Sequence, residues 1–364
     1  MGRLIIRSFF EDIKNFRNMI PYRTKKIEEA EATALPQAYG VNELSAKLHP
    51  DKQKVRISSV ETLDSRTKII TFSSVDKTLL APFRAGQGVN IKVGTATAFF
   101  SVVSATEEKD YSIIVSADYD DAVSSFLLNA DDKTELEISG PIGLFYYSKL
   151  RDGDSVALVC DFSGVAAAFS ICRYLSGRAD TNVSVIFVGE EENPWVCGLF
   201  EKLSENISFF REKDTDGIYK RVSEKVNSPS AFFVSGKDVF CGKTMALLGD
   251  YDFLRGRIRM HISDPETKNA SVEKYSCQVL YRNESSSFEC FANETLLSAF
   301  ERNNIPTQAK CKVGECGYCR CKLIEGDVES VLCNGIDSMR GADKKYGFIH
   351  PCRTFPKSDI KVKL

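Results

Sequence analysis

"AKCKVGECGYCRCKL", residues 309–323, carries four cysteines and two glycines in fifteen positions. Cys311, Cys316 and Cys319 stand as C-x4-C-x2-C, and Cys352 lies 33 residues beyond Cys319. This is the spacing of a four-thiolate [2Fe–2S] site. Three ligands from one short loop require the backbone to wrap around the cluster. Gly314 and Gly317 supply conformations that residues with a Cβ avoid, and they let N–H groups approach the sulfurs. The other uses of such cysteines fit less well. A structural zinc site usually pairs two C-x2-C units, and only one is present. A disulfide framework belongs to small secreted domains. Cys321 and Cys333 are read as non-ligands, since Cys321 should point away from Cys319 in an extended segment.

The remaining cysteines support a reducing environment. The chain has 12 in 364 residues, and Cys160, Cys172, Cys197, Cys241, Cys277 and Cys290 are scattered singly among apolar neighbours. Buried, reduced thiols look like this, so a cytoplasmic location is expected. The net charge of −2 argues against a nucleic-acid partner. No apolar run is long enough to cross a bilayer, and "MGRLIIRSFFEDIKNF" lacks a signal-peptide layout. Ile6 stands where a myristoylation motif wants Ser or Thr.

Residues 1–50 read as an amphipathic helical extension. Leu4, Ile5, Phe9, Ile13, Phe16 and Ile20 recur at helical spacing, with Pro21 expected to stop the pattern. Such a basic stripe docks on protein or rests on a membrane surface. From 51 to 150, short strand-like runs such as "TKIITFSSV", "GVNIKV" and "YSIIVSA" predict an antiparallel barrel. From 151 to 262, "SVALVC", "VSVIFVG", "ISFFRE" and "AFFVSG" alternate with helical stretches, which predicts a doubly wound parallel α/β sheet. Such sheets bind ligands at the carboxyl ends of their strands, where "CDFSG" (160–164) and "VSGKD" (234–238) fall. Residues 263–274 read as a polar linker. A third domain, 275–364, opens with a hairpin and a helix from about Glu294 to Arg302, followed by the cysteine loop.

Barrel, doubly wound sheet and a plant-type ferredoxin domain, in that order, resemble the ferredoxin–NADP reductase superfamily. The phthalate dioxygenase reductase type of that superfamily is the nearer likeness. The resemblance implies a flavin-binding barrel, a nucleotide-binding α/β domain and a β-grasp [2Fe–2S] domain. The family's flavin motif, Arg-x-Tyr-Ser/Thr, matches Ala98-Phe99-Phe100-Ser101 without the arginine. The resemblance implies Phe100 against the flavin ring and Ser101 near its N5. Asp121 stands at the glycine of the phosphate-binding turn, with Ser124 and Ser125 as the remaining donors. "GPIGLF" (140–145), with Gly143, matches the stretch at the barrel's end. The family's glycine-rich nicotinamide loop reads Asp161-Phe162-Ser163-Gly164, and its later Cys-Gly-Pro-like motif reads Ser235-Gly236-Lys237. Ser235 would stand beside a nicotinamide, and Lys237 would meet a phosphate.

The function so implied is electron transfer from NAD(P)H through a flavin, FAD rather than FMN, to the cluster. A redox protein or oxygenase-type acceptor follows. Flavin is needed because a nicotinamide gives two electrons together while a [2Fe–2S] cluster takes one. A second expectation is an iron–sulfur carrier subunit whose altered nucleotide loops leave it without NAD(P)H turnover of its own. With three histidines and no nucleophile motif, a hydrolase is not supported.

Overall fold

In the computed structural model the described residues are 52–76, 78–94, 96–119, 121–189, 193–218, 221, 229–249, 258–262, 272–281, 284–303, 305, 307, 309, 314, 316–331 and 339–364, with residues 14, 17–19, 21–22, 25 and 50 before them. The chain divides into Met1–Leu48 and His49–Leu364. In the first unit, residues 17–19, 21–22 and 25 are helical. Helical residues stand on both sides of residue 20, which lies outside the described residues, so the expected stop at Pro21 is neither met nor contradicted. The apolar stripe Leu4–Ile20 lies outside the described residues, as does the polar segment 263–271. Among the described residues, no helix is long and apolar enough to cross a membrane.

The second unit holds three main sheets. The first contains β1 (Gln53–Thr62), β2 (Thr67–Ser74), β3 (Gly88–Val93), β4 (Ala96–Ser101), β5 (Tyr111–Ser116) and β6 (Glu135–Ile142) in the order β4-β3-β6-β1-β2-β5. All its pairings are antiparallel. A bridge between Val102 and Ile113 brings the end of β4 onto β5 and closes the barrel. Alternating Val55, Ile57, Ile70, Phe72, Val89, Ile91, Ile113 and Val115 fill its interior, and Val123 and Leu127 of α1 (Ala122–Asn129) seal one end. Period-two burial is what a one-sided antiparallel sheet demands.

The second sheet is parallel throughout. It contains β7 (Ser155–Cys160), β8 (Asn182–Val188), β9 (Ile207–Glu212), β10 (Ala231–Gly236) and β11 (Ile258–Ile262), in the order β11-β10-β7-β8-β9. On one face it packs α2 (Val165–Leu175) and α3 (Pro194–Glu201). On the other it packs α4 (Asp238–Gly249). The sheet is thus covered on both sides, which explains the continuous apolar runs. The chain moves from β7 out to β9 and then returns to β10 on β7's other side. The switch point is therefore between β7 and β10.

The third sheet contains β12 (Lys274–Tyr281), β13 (Glu284–Phe291), β14 (Cys321–Glu325), β16 (Phe348–Ile349) and β18 (Ile360–Lys363), ordered β13-β12-β18-β14-β16. β12 and β18 run parallel, and α5 (Leu296–Arg302) packs Leu296, Ala299 and Phe300 onto this β-grasp sheet. α5 begins two residues later than the periodicity predicts because the Thr295 side chain accepts the Ser298 N–H and caps it. A short ladder joins β15 (Val328–Ser330) to β17 (Thr354–Pro356), and α6 (Gly341–Lys345) precedes β16.

Barrel and α/β layer are joined by buried polar contacts. Ser170 Oγ on α2 accepts the Gly86 N–H at 2.9 Å and donates to the Val102 carbonyl at 2.6 Å. Ser170→Ala leaves that buried N–H without its acceptor, and chemical denaturation should register a loss of about 1–3 kcal/mol.

Candidate cluster and nucleotide sites

The cluster loop is built against the turn Pro351–Arg353. Cys319 and Cys352 are buried, their sulfurs are 3.4 Å apart, and both pack on Leu297. Two thiolates sharing a tetrahedral metal at about 2.3 Å stand about 3.8 Å apart. The pair therefore needs only a few tenths of an ångström to hold one iron. Contact with Cys352 holds the Cys319 thiol below its ordinary range. Cys316 is half-buried beside them, while Cys311 and Cys333 lie outside the described residues. Gly314 and Gly317 have φ of 81° and 70°, so each needs the left-handed freedom assigned to it. Cys321 is buried in the β-grasp core with Cys277, Cys290 and Val362, separate from Cys319 and Cys352. Burial raises its thiol strongly, and the nearby Cys319 adds to that rise.

Sequence reading misses the residue that braces this loop. His350 is 1% exposed, its Nδ1 hydrogen-bonds the Gly314 carbonyl at 2.5 Å, and its Nε2 lies 3.3 Å from Asp343 Oδ2. Asp343 in turn meets Arg320 at 3.2 Å. A histidine two positions before the fourth cysteine was the available signal.

The barrel residues fall on two faces. Phe100 is 4% exposed and packs inside the barrel core, so its ring is not on the α/β side where Phe99 lies. Phe99 pairs with Asn90 across the ladder, and its ring centroid is 5.3 Å from that of His261 on β11. Ser101 is 5% exposed at the end of β4. Gly143 has φ 120°, and its carbonyl accepts from the Gln87 side chain. At α1, Asp121 accepts the Ser124 N–H at 2.8 Å and the Ser124 hydroxyl at 2.5 Å. Ser125 is exposed, and its N–H goes to the Asp121 carbonyl. Both donors of Ser124 therefore already serve the Asp121 carboxylate, and the Ser125 N–H serves that residue's main-chain carbonyl.

The same substitution recurs at the switch point. Asp161 caps the turn before α2, accepting the Gly164 N–H at 3.1 Å and the Ser163 hydroxyl at 2.8 Å. Its other oxygen accepts the Lys237 N–H at 2.8 Å. A Cβ on Gly236 would lie 2.5 Å from this carboxylate, so the side chain fills the space above that glycine. Burial pushes the Asp161 carboxyl upward, against the lowering effect of its three donors. Gly164 permits a close approach, since a Cβ there would overlap the Ser235 carbonyl. Ser235 is fully buried and donates to the Gly164 carbonyl at 2.9 Å. Lys237 is exposed. Phe162 stacks edge-on to Trp195 with centroids 5.6 Å apart and lies 6.2 Å from Tyr119. Burial raises the Tyr119 phenol, and the charges of Asp161, Asp121 and Asp118 add to that rise.

Residues 265–357 match the 2Fe-2S iron-sulfur cluster binding domain family. Over 71 residues the chain is 32% identical to the vegetative ferredoxin of Trichormus variabilis, covering 20% of this chain and 69% of that one. The C-terminal domain belongs to the [2Fe–2S] ferredoxin family. The remainder places that domain in a longer, reductase-type frame. The chain is 23% identical over 298 residues to the NADH oxidoreductase HCR of Escherichia coli (strain K12), covering 77% of this chain and 88% of that one. It is 22% identical to a carnitine monooxygenase reductase subunit of Acinetobacter baumannii, covering 75% and 86%. Phthalate dioxygenase reductase, a modular structure for electron transfer from pyridine nucleotides to [2Fe–2S], superposes with a TM-score of 0.64 at 19% identity. It covers 86% of this chain and 98% of its own. The chain therefore shares the fold of phthalate dioxygenase reductase, with its [2Fe–2S] domain at the C-terminal end, as the order of motifs implied.

Proposed function

We propose that this chain is an electron-transfer oxidoreductase that takes electrons from NAD(P)H through a flavin to a [2Fe–2S] cluster and passes them to a redox partner. The observation that carries this reading is the Cys319–Cys352 pair, set in a ferredoxin domain on the same compact unit as a reductase-type barrel and switch-point sheet. Cys311, Cys316, Cys319 and Cys352 would hold the cluster. A bound flavin, FAD in this reading, supplies the conversion of a two-electron donor into one-electron steps.

The chain's own residues would do the following. Ser101 and the Phe99 face would border the flavin ring, and Gly164 with Ser235 would shape the floor beneath the nicotinamide. Ser124, Ser125 and Lys237 would meet phosphates once Asp121 and Asp161 turn aside. Monooxygenase-system relatives favour an oxygenase as acceptor. The buried cysteines suit a reducing, cytoplasmic setting.

A second reading is favoured by Asp121 and Asp161. The chain would then be an iron–sulfur subunit fed by a partner and would have no NAD(P)H turnover alone. Anaerobic addition of NADH or NADPH to the cluster-loaded protein separates the two. Reduction of the cluster supports the first, and an unreduced cluster leaves the second.

A further inference from the structure

Arg353 directly follows Cys352, and Asp238 opens α4 just beyond the carboxyl end of β10. Nη2 of Arg353 lies 2.8 Å from Oδ2 of Asp238, with the two side chains 4% and 7% exposed. The approach is off-axis, so neither terminal guanidinium nitrogen makes a well-aligned hydrogen bond. The contact is an ion pair, and Nε donates to the Val331 carbonyl at 3.3 Å.

Both ends of the pair are fixed to their own domain. The Arg353 N–H and the Thr354 hydroxyl both bond the His350 carbonyl at 2.9 Å, so Arg353 and Cys352 sit in one braced turn. Asp238 belongs to the corner whose Lys237 N–H is held by Asp161. A weaker polar contact, Asn90 to Glu301 at 3.4 Å, touches the barrel at a second point. Two buried opposite charges cost desolvation whether or not they help stability, but separating them takes from the buried Arg353 guanidinium its counter-charge. Such a contact selects one docked arrangement more than it adds stability.

We propose that Arg353 and Asp238 are a positioning pair that holds the cluster domain against the switch point of the α/β layer, where electrons enter. The proposal rests on the electron-transfer reading for its kinetic consequence and on the geometry alone for the docking. The pair fixes where the Cys352 turn sits relative to the carboxyl ends of β7 and β10.

The test uses the full-length, cluster-loaded chain. Asp238→Leu leaves the cluster turn untouched and strands the Arg353 charge. It should shift the docked population by about a hundredfold toward the open form. Small-angle scattering should then give a larger radius of gyration. Cluster reduction by NAD(P)H should slow by about tenfold or more, while the cluster's EPR spectrum and its reduction by dithionite stay unchanged. The double variant Asp238→Leu with Arg353→Met replaces the pair by apolar contacts and should restore the scattering profile. Unchanged scattering in Asp238→Leu overturns the proposal, and so does an opened form that the double variant fails to restore. If the wild-type cluster takes no electrons from a nucleotide, the nucleotide reading fails and scattering alone decides the docking.

Discussion

Replacing Cys352 with serine is expected to abolish the visible absorbance and the EPR signal of the cluster, while Cys321→Ala leaves both intact. The two cysteines are close in space to the same strand system but face different surroundings. Cys352 is buried with its sulfur 3.4 Å from that of Cys319, within a few tenths of an ångström of the separation that two ligands of one iron require. A serine oxygen is a shorter, harder ligand in a position built for a soft thiolate. Cys321 packs among Cys277, Cys290 and Ile349 in the β-grasp core. Shortening it to alanine removes one buried atom, at a cost of roughly 1 kcal/mol that denaturation would register. Iron and sulfide content measured on both purified variants decides the ligand set. Retention of the full signal in Cys352→Ser would remove Cys352 from it.

Asp161→Gly is expected to tighten binding of a pyridine dinucleotide by about 30- to 100-fold, or about 2–3 kcal/mol. The carboxylate now satisfies the Gly164 and Lys237 N–H groups and occupies the space over Gly236. An incoming pyrophosphate needs those donors and is repelled by the same charge. Removing the side chain frees both donors and the space. The pH dependence has a definite sign. The Asp161 carboxyl is raised, so as pH falls through that raised value it gains a proton, the repulsion weakens and wild-type affinity rises. Its contribution to fold stability follows the same direction: favourable at low pH and lost as pH climbs through the folded value. Titration calorimetry with NAD+ and NADP+ from pH 4 to 8 should show the gap between wild type and Asp161→Gly widening as pH climbs through the raised value. Equal affinities for the two proteins at pH 8 would contradict this role.

The readability of these features follows their range along the chain. The cluster loop was legible because its ligand spacing is local and each glycine sits where the backbone turns left-handed. The barrel and the parallel sheet were legible from short strand-like and continuous apolar runs, whereas of the third sheet only the β12–β13 hairpin was, the rest following from the resemblance. Phe100 was harder. Which of two adjacent phenylalanines faces inward depends on the ladder that pairs Val89 with Phe100 and Asn90 with Phe99, and one step of register inverts the answer. Asp161 was visible as an unexpected carboxylate, but its partner Lys237 lies 76 residues away and only folding brings them together. His350 and the Arg353–Asp238 pair carry no local pattern, because each is defined by a contact between distant segments.

Anaerobic titration with NADH and with NADPH, followed by EPR of the cluster, tests the electron path most directly. With flavin and cluster loaded, the predicted result is the signal of a reduced [2Fe–2S] centre from one of the two nucleotides, reaching the intensity that dithionite gives. A cluster that dithionite reduces fully and neither nucleotide reduces at all would contradict entry through this chain's own nucleotide site.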